Sequence, residues 1–97
     1  MARQIVWTVP AEKDLKRILN HWLERNGTPN FSLKLYGRIR TTVALTIRNP
    51  FIGRPTDIVG IRVLRVGEYL IFYEVMVNAI LVHHVWDGRQ DMTKLEF

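Results

Sequence analysis

A chain of 97 residues, 47% of them hydrophobic, fits one core and at this size buries roughly 60–70% of the surface its unfolded form exposes. It has no cysteine, which excludes a disulfide framework and a thiolate metal site, and no apolar run of about 18 residues, which excludes an ordinary membrane-spanning helix. Fourteen Lys and Arg against nine Asp and Glu leave a formal charge of +5, which favours nucleic acid, an acidic protein segment or an anionic surface as partner.

Gln4 to Val9 alternates weakly, with Ile5 and Trp7 on one side, and reads as a short first strand. Pro10 suits the first turn of a helix, where a missing N–H costs nothing, and Glu12 and Asp14 place acid near its positive end. Leu15, Ile18, Leu19, Trp22 and Leu23 then recur at helical spacing across from Lys13, Lys16, Arg17, Asn20 and Glu24, which predicts an amphipathic helix. Asn26-Gly27 takes positive φ easily at a helix end, and Thr28-Pro29 reads as the cap and first position of a second helix. So short a connection predicts an antiparallel helix hairpin. The second helix is expected from about Asn30 to Arg48 on the stripe Leu35, Tyr36, Ile39, Val43 and Ile47, and Asn49-Pro50 ends it. Residues 51–59, with Gly53, Pro55 and Asp57, read as an ordered surface loop with Arg54 at its tip.

Ile61 to Val66, Tyr69 to Val77 and Ala79 to Asp87 are rich in Val, Ile, Tyr and Phe. Gly67-Glu68 and Asn78-Ala79 separate them, turns short enough to demand antiparallel pairing. The economical architecture is α+β in a single domain, 1–97: an N-terminal strand, the helix hairpin, then a three-stranded antiparallel meander. Together these make a small twisted sheet of four strands with both helices on one face. Thr93 to Phe97 is too short for a further helix. The N-terminus has no long apolar signal region, so the chain is expected to be cytoplasmic, with no membrane partner.

Candidate chemistry gathers between Gly60 and Asp91. Arginines concentrate between Lys34 and Arg65, and arginine suits bidentate phosphate contacts, so Lys34, Arg38, Arg54 and Arg62 are the candidate nucleic-acid contacts. Arg62 and Arg65, three positions apart on a strand, project to opposite faces, and either reads equally as a solvated or edge-protecting charge. Arg65 sits beside a turn, where a phosphate is easily reached. Arg89, at a strand end, is structural if Asp87 or Asp91 pairs with it. Unpaired, it would stabilise the charge that builds up when RNA is cleaved through its own 2′-hydroxyl. His83 and His84 are adjacent, so a regular strand points them to opposite faces and they cannot share one metal ion unaided. One buried and one exposed histidine is expected, the exposed one suited to general acid or base work. Arg65, Arg89, His83 and His84 are therefore the catalytic candidates. The glycines are not spaced as a phosphate loop and no metal motif or nucleophilic triad occurs, so no cofactor is expected.

The order strand, helix hairpin, meander, with the run GEYLIFYEV (Gly67 to Val75) and the ending VWDGRQD (Val85 to Asp91), resembles the RelE/ParE superfamily of type II toxins over nearly the whole chain. The helix end at Asn49-Pro50 and the loop glycine Gly53 belong to the same resemblance. It implies a small basic toxin encoded beside a cognate antitoxin, whose acidic C-terminal segment wraps and inhibits it in a hetero-oligomer. It also implies one of two targets. RelE-like members cleave mRNA in the ribosomal A site, using arginines and lysines on the sheet and a tyrosine or histidine near the C-terminus. ParE-like members share the fold, commonly lack that constellation and poison DNA gyrase. Arg65 matches the arginine before the Gly-Tyr turn of RelE-like enzymes, and Arg89 falls at the basic position after the glycine. No tyrosine or histidine follows Arg89, and position 87, often histidine in the H-G-R-x-D form, is aspartate. The expectation is a growth-inhibiting toxin acting by ribosome-dependent mRNA cleavage. The alternatives are gyrase inhibition or a non-toxic nucleic-acid or protein interaction module.

Overall fold

The computed structural model describes residues 3–95 and 97. Its elements are β1 (Gln4–Trp7), α1 (Val9–Asn26), α2 (Asn30–Arg48), β2 (Arg54–Pro55), β3 (Ile61–Val66), β4 (Tyr69–Val75) and β5 (Ala79–Asp87), followed by one 3₁₀ turn, Met92–Lys94. Thr8 is the joint between strand and helix. Its backbone is extended, its Oγ1 accepts from the Ala11 N–H at 3.3 Å, and the same hydroxyl lies 3.0 Å from the Val82 carbonyl. One side chain thus caps α1 and pins its start to β5. Gly27, at φ 70°, ends the helix by donating its N–H to the Leu23 carbonyl, as the Asn-Gly pair predicts. α2 starts with Pro29 in the cap position and no side-chain cap. Ser32 instead donates its hydroxyl to Leu19 O at 2.8 Å and so stitches the hairpin together.

The sheet has five strands in the order β1-β5-β4-β3-β2, with β1 parallel to β5 and the other pairs antiparallel. This is the expected α+β architecture with one addition. Arg54 and Pro55, read as loop, pair with Val63 and Arg62 to form a short edge strand. Proline is tolerated there because an edge leaves its missing N–H facing no partner. β4 also stops two residues early: Met76 N–H donates to Ala79 O at 2.8 Å and closes a turn, leaving Met76 and Val77 exposed despite their apolar character. Gly67, at φ 57°, supplies the positive φ that the two-residue turn between β3 and β4 needs.

The core lies between the layers. Ala11 and Ile18 of α1 and Leu35, Ile39 and Val43 of α2 pack against Val66, Tyr69, Ile71, Val82 and Val85 of the sheet. Burying one Val, Leu or Ile fully stabilises by roughly 1.5–3 kcal/mol, so this layer is the main source of stability. The α1 stripe is rotated from the expected one: Asp14 is buried and Leu23 is 42% exposed. Among the described residues, no helix is long and apolar enough to cross a membrane.

Candidate functional site

Strand alternation sorts the side chains between two faces. Leu64, Val66, Tyr69 and Ile71 face the helices, so their neighbours Val63, Arg65, Leu70 and Phe72 project from the opposite, open face. Arg54 pairs with Val63 and shares that side. Arg62, paired with Tyr73, lies on the helix side, so Arg62 and Arg65 do face opposite ways.

The histidines depart from the expected arrangement. The pairing of β4 with β5 slips between Phe72 and Tyr73: Phe72 opposes His84, whereas Tyr73 opposes Val82. The extra residue in β5 is a bulge, which spoils the alternation that would have sent the two rings apart. Both rings stand against the same side chain, Phe97, with ring centroids 5.9 Å away for His83 and 5.3 Å for His84. Each also has a carboxylate partner. His83 Nε2 lies 2.9 Å from Glu74 Oε1, and His84 Nδ1 lies 2.8 Å from Asp14 Oδ2.

Asp14 is the residue whose role sequence reasoning missed. It lies near the positive end of α1 as expected, but its side chain is 7% exposed and takes three donors: the Arg17 guanidinium at 2.8 Å, His84, and the Val85 N–H at 3.1 Å. β1 ends its pairing at Trp7 opposite Val82, so beyond that point the edge of β5 lacks a strand partner. The Asp14 carboxylate takes the place of one, and a buried charge so surrounded is tolerated because its lone pairs are used. The available signal was spacing, for Ala11, Asp14 and Ile18 lie on one helical stripe.

Arg89 is clasped. Its Nε and NH2 donate to the two Asp87 oxygens at 3.0 and 2.9 Å, and its own N–H donates to Asp87 Oδ1 at 2.9 Å. The Arg89 hydrogen bonds hold the Asp87 carboxyl below the usual aspartate range against a smaller opposing effect of burial, and Asp87 in turn raises Arg89. Asp87 opposes Tyr69, a core residue, so this clasp belongs to the helix side of the sheet while Arg65 stands on the open face.

Arg62 ties down the loop before β3. Its NH1 donates to Gly53 O at 2.7 Å and Phe51 O at 3.2 Å, and its guanidinium lies 5.0 Å from the Phe51 ring centroid. Tyr73 completes that knot, accepting from Gly53 N–H and donating to Pro50 O, each at 2.8 Å. Burial pushes the Tyr73 phenol up. Lys34 and Arg38 are exposed on α2, across the sheet from Arg54 and Arg65. The eight candidates therefore fall into separate places: Arg54 and Arg65 on the open face with both histidines beside Phe97, Arg62 in the loop, Arg89 in its clasp, and Lys34 and Arg38 on the helix layer.

The family model for the ParE toxin of type II toxin–antitoxin systems, parDE, matches residues 5–92. The chain belongs to the ParE toxin family. A chromosomal ParDE toxin–antitoxin system from P. aeruginosa superposes with a TM-score of 0.75 at 25% identity, over 87% of this chain and 94% of that one. The toxin–antitoxin complex RelBE2 from Mycobacterium tuberculosis shares the fold, with a TM-score of 0.60 at 17% identity over 88% of this chain and 96% of that one. No curated protein sequence matches. The resemblance to RelE/ParE toxins that the meander suggested is thereby established, and this ParE toxin has the common helix hairpin laid on one side of its sheet.

Proposed function

We propose that this ParE toxin arrests growth by gripping DNA gyrase and is neutralised by a cognate antitoxin through an acidic segment. The observation that carries the choice of target is the scattering of the catalytic candidates. Arg89 is spent on Asp87 and lies on the other side of the sheet from Arg65, so the two cations that RNA cleavage would need do not face one phosphate. Membership of the ParE family and the likeness to a ParDE system support the same target, since gyrase is what the superfamily resemblance implies for ParE-like members. The +5 charge supports an acidic antitoxin segment.

RNA cleavage is kept as a second reading by one observation. Asp14 holds His84 through Nδ1, as an orienting carboxylate holds a general base. Purified toxin incubated with gyrase and supercoiled DNA is expected to accumulate cleaved complexes or stop supercoiling. Added to translating ribosomes, it is expected to leave mRNA intact. Intact supercoiling activity together with A-site cuts would reverse the assignment.

A further inference from the structure

Two hollows on the open face run into one another. One, of about 370 Å3, is walled by Ile58, Val63, Leu70, Phe72, Leu95 and Phe97. The other, of about 430 Å3, shares Val63 and Leu70 and is flanked by Arg54 and Arg65. The two hollows form one trough, apolar at one end and cationic at the other. Neither guanidinium group has a hydrogen bond or ion pair among the described residues, unlike those of Arg62 and Arg89. The C-terminal ring of this chain forms part of the wall of the apolar end. Phe97 meets Phe72 edge-on with centroids 5.4 Å apart, touches both histidines, and is still 45% exposed. That ring is therefore only half covered and offers an apolar face to an incoming side chain.

We propose that this trough is the surface by which the toxin takes its protein target: an extended segment with an aromatic or large aliphatic side chain for the Phe72 end and a carboxylate for Arg54 and Arg65. Phe97 and Phe72 form the aromatic wall that this side chain meets. The proposal rests on the gyrase reading for the identity of the target, not for the surface. Two unpaired guanidinium groups beside an apolar wall match a peptide better than a polyphosphate backbone, which calls for a longer run of cations. Asp57 lines only the apolar hollow, so a carboxylate is repelled there and attracted at the other end, which sets the end at which the acid of the segment lies.

Arg54→Glu together with Arg65→Glu, both exposed positions, tests the cationic end, with the single alanine variants as milder controls and far-ultraviolet circular dichroism to confirm folding. Affinity for purified gyrase is expected to fall about thirtyfold or more, and growth arrest to be lost. Phe97→Ala is expected to weaken gyrase binding by about three- to tenfold, because an aromatic wall of the trough is removed. A folded charge-reversed variant that binds gyrase and arrests growth like the parent overturns the trough and leaves the gyrase reading intact. A parent toxin that arrests growth without binding gyrase sinks the gyrase reading; the trough then stands if the variant no longer arrests growth and falls if it does. Loss of binding to a single-stranded RNA oligonucleotide as the charge-reversed variant's defect would make the trough a nucleic-acid surface and overturn the protein segment. Unchanged gyrase binding by Phe97→Ala would overturn the apolar end of the trough.

Discussion

Asp14 and Asp87 show how differently two aspartates of one chain are used. Asp14 is nearly enclosed and accepts from Arg17, His84 and Val85. Asp14→Ala removes the contact with the His84 ring and leaves the Val85 N–H without its acceptor, at roughly 1–3 kcal/mol for a buried donor left unpaired. Urea denaturation is expected to report the lowered midpoint, with Asp14→Asn, which keeps one carbonyl oxygen, losing less. Asp87 is held by Arg89 and has a folded-state pKa below its ordinary value. The sign follows: the clasp contributes fully above about pH 4, the unfolded aspartate value, and its contribution disappears as pH falls through the depressed folded value. Carboxyl NMR titration is expected to place Asp87 below the usual aspartate range, and Arg89→Ala to move it back up. An unmoved Asp87 would mean that the clasp is not what depresses it.

The loop between α2 and β3 is positioned by one close approach. A Cβ on Gly53 would sit 2.6 Å from the Tyr73 ring, in the space across which Gly53 N–H reaches the phenol oxygen. Gly53→Ala must push the ring or the loop aside and is expected to cost roughly 1–3 kcal/mol by thermal or urea denaturation. Because Arg54 follows Gly53 directly, the same change is expected to shift the NMR signals of the β2–β3 pair, while a variant at exposed Gly37, with open space around it, leaves them alone. The bulge in β5 is the second device of this kind. One extra residue opposite Phe72 and Tyr73 brings both histidines to Phe97, so the open face owes its character to a local break in the ladder.

One layer of apolar side chains joins both helices to the sheet, and Ile39, fully buried, lies within it. Ile39→Ala is expected to cost roughly 2–5 kcal/mol, lowering the urea midpoint with little change in slope. The unmodified chain is expected to lose helical circular dichroism and tryptophan fluorescence in a single coincident transition, as one core requires. Two separated transitions would show that the helix hairpin and the meander are distinct units. The order of elements, the helix hairpin and the antiparallel meander were readable from the chain, because helical stripes, strand-rich runs and turn residues are local properties carried by neighbours in sequence. What needed the folded molecule was the question of distant partners: that β1 lies parallel to β5, that Arg54 and Pro55 find β3, and that Asp14 reaches Val85. Those contacts join residues distant in sequence or depend on register, and a one-residue slip such as the β5 bulge changes which face a side chain occupies. Residue type made Arg65 and Arg89 both catalytic candidates; their surroundings in three dimensions separate them.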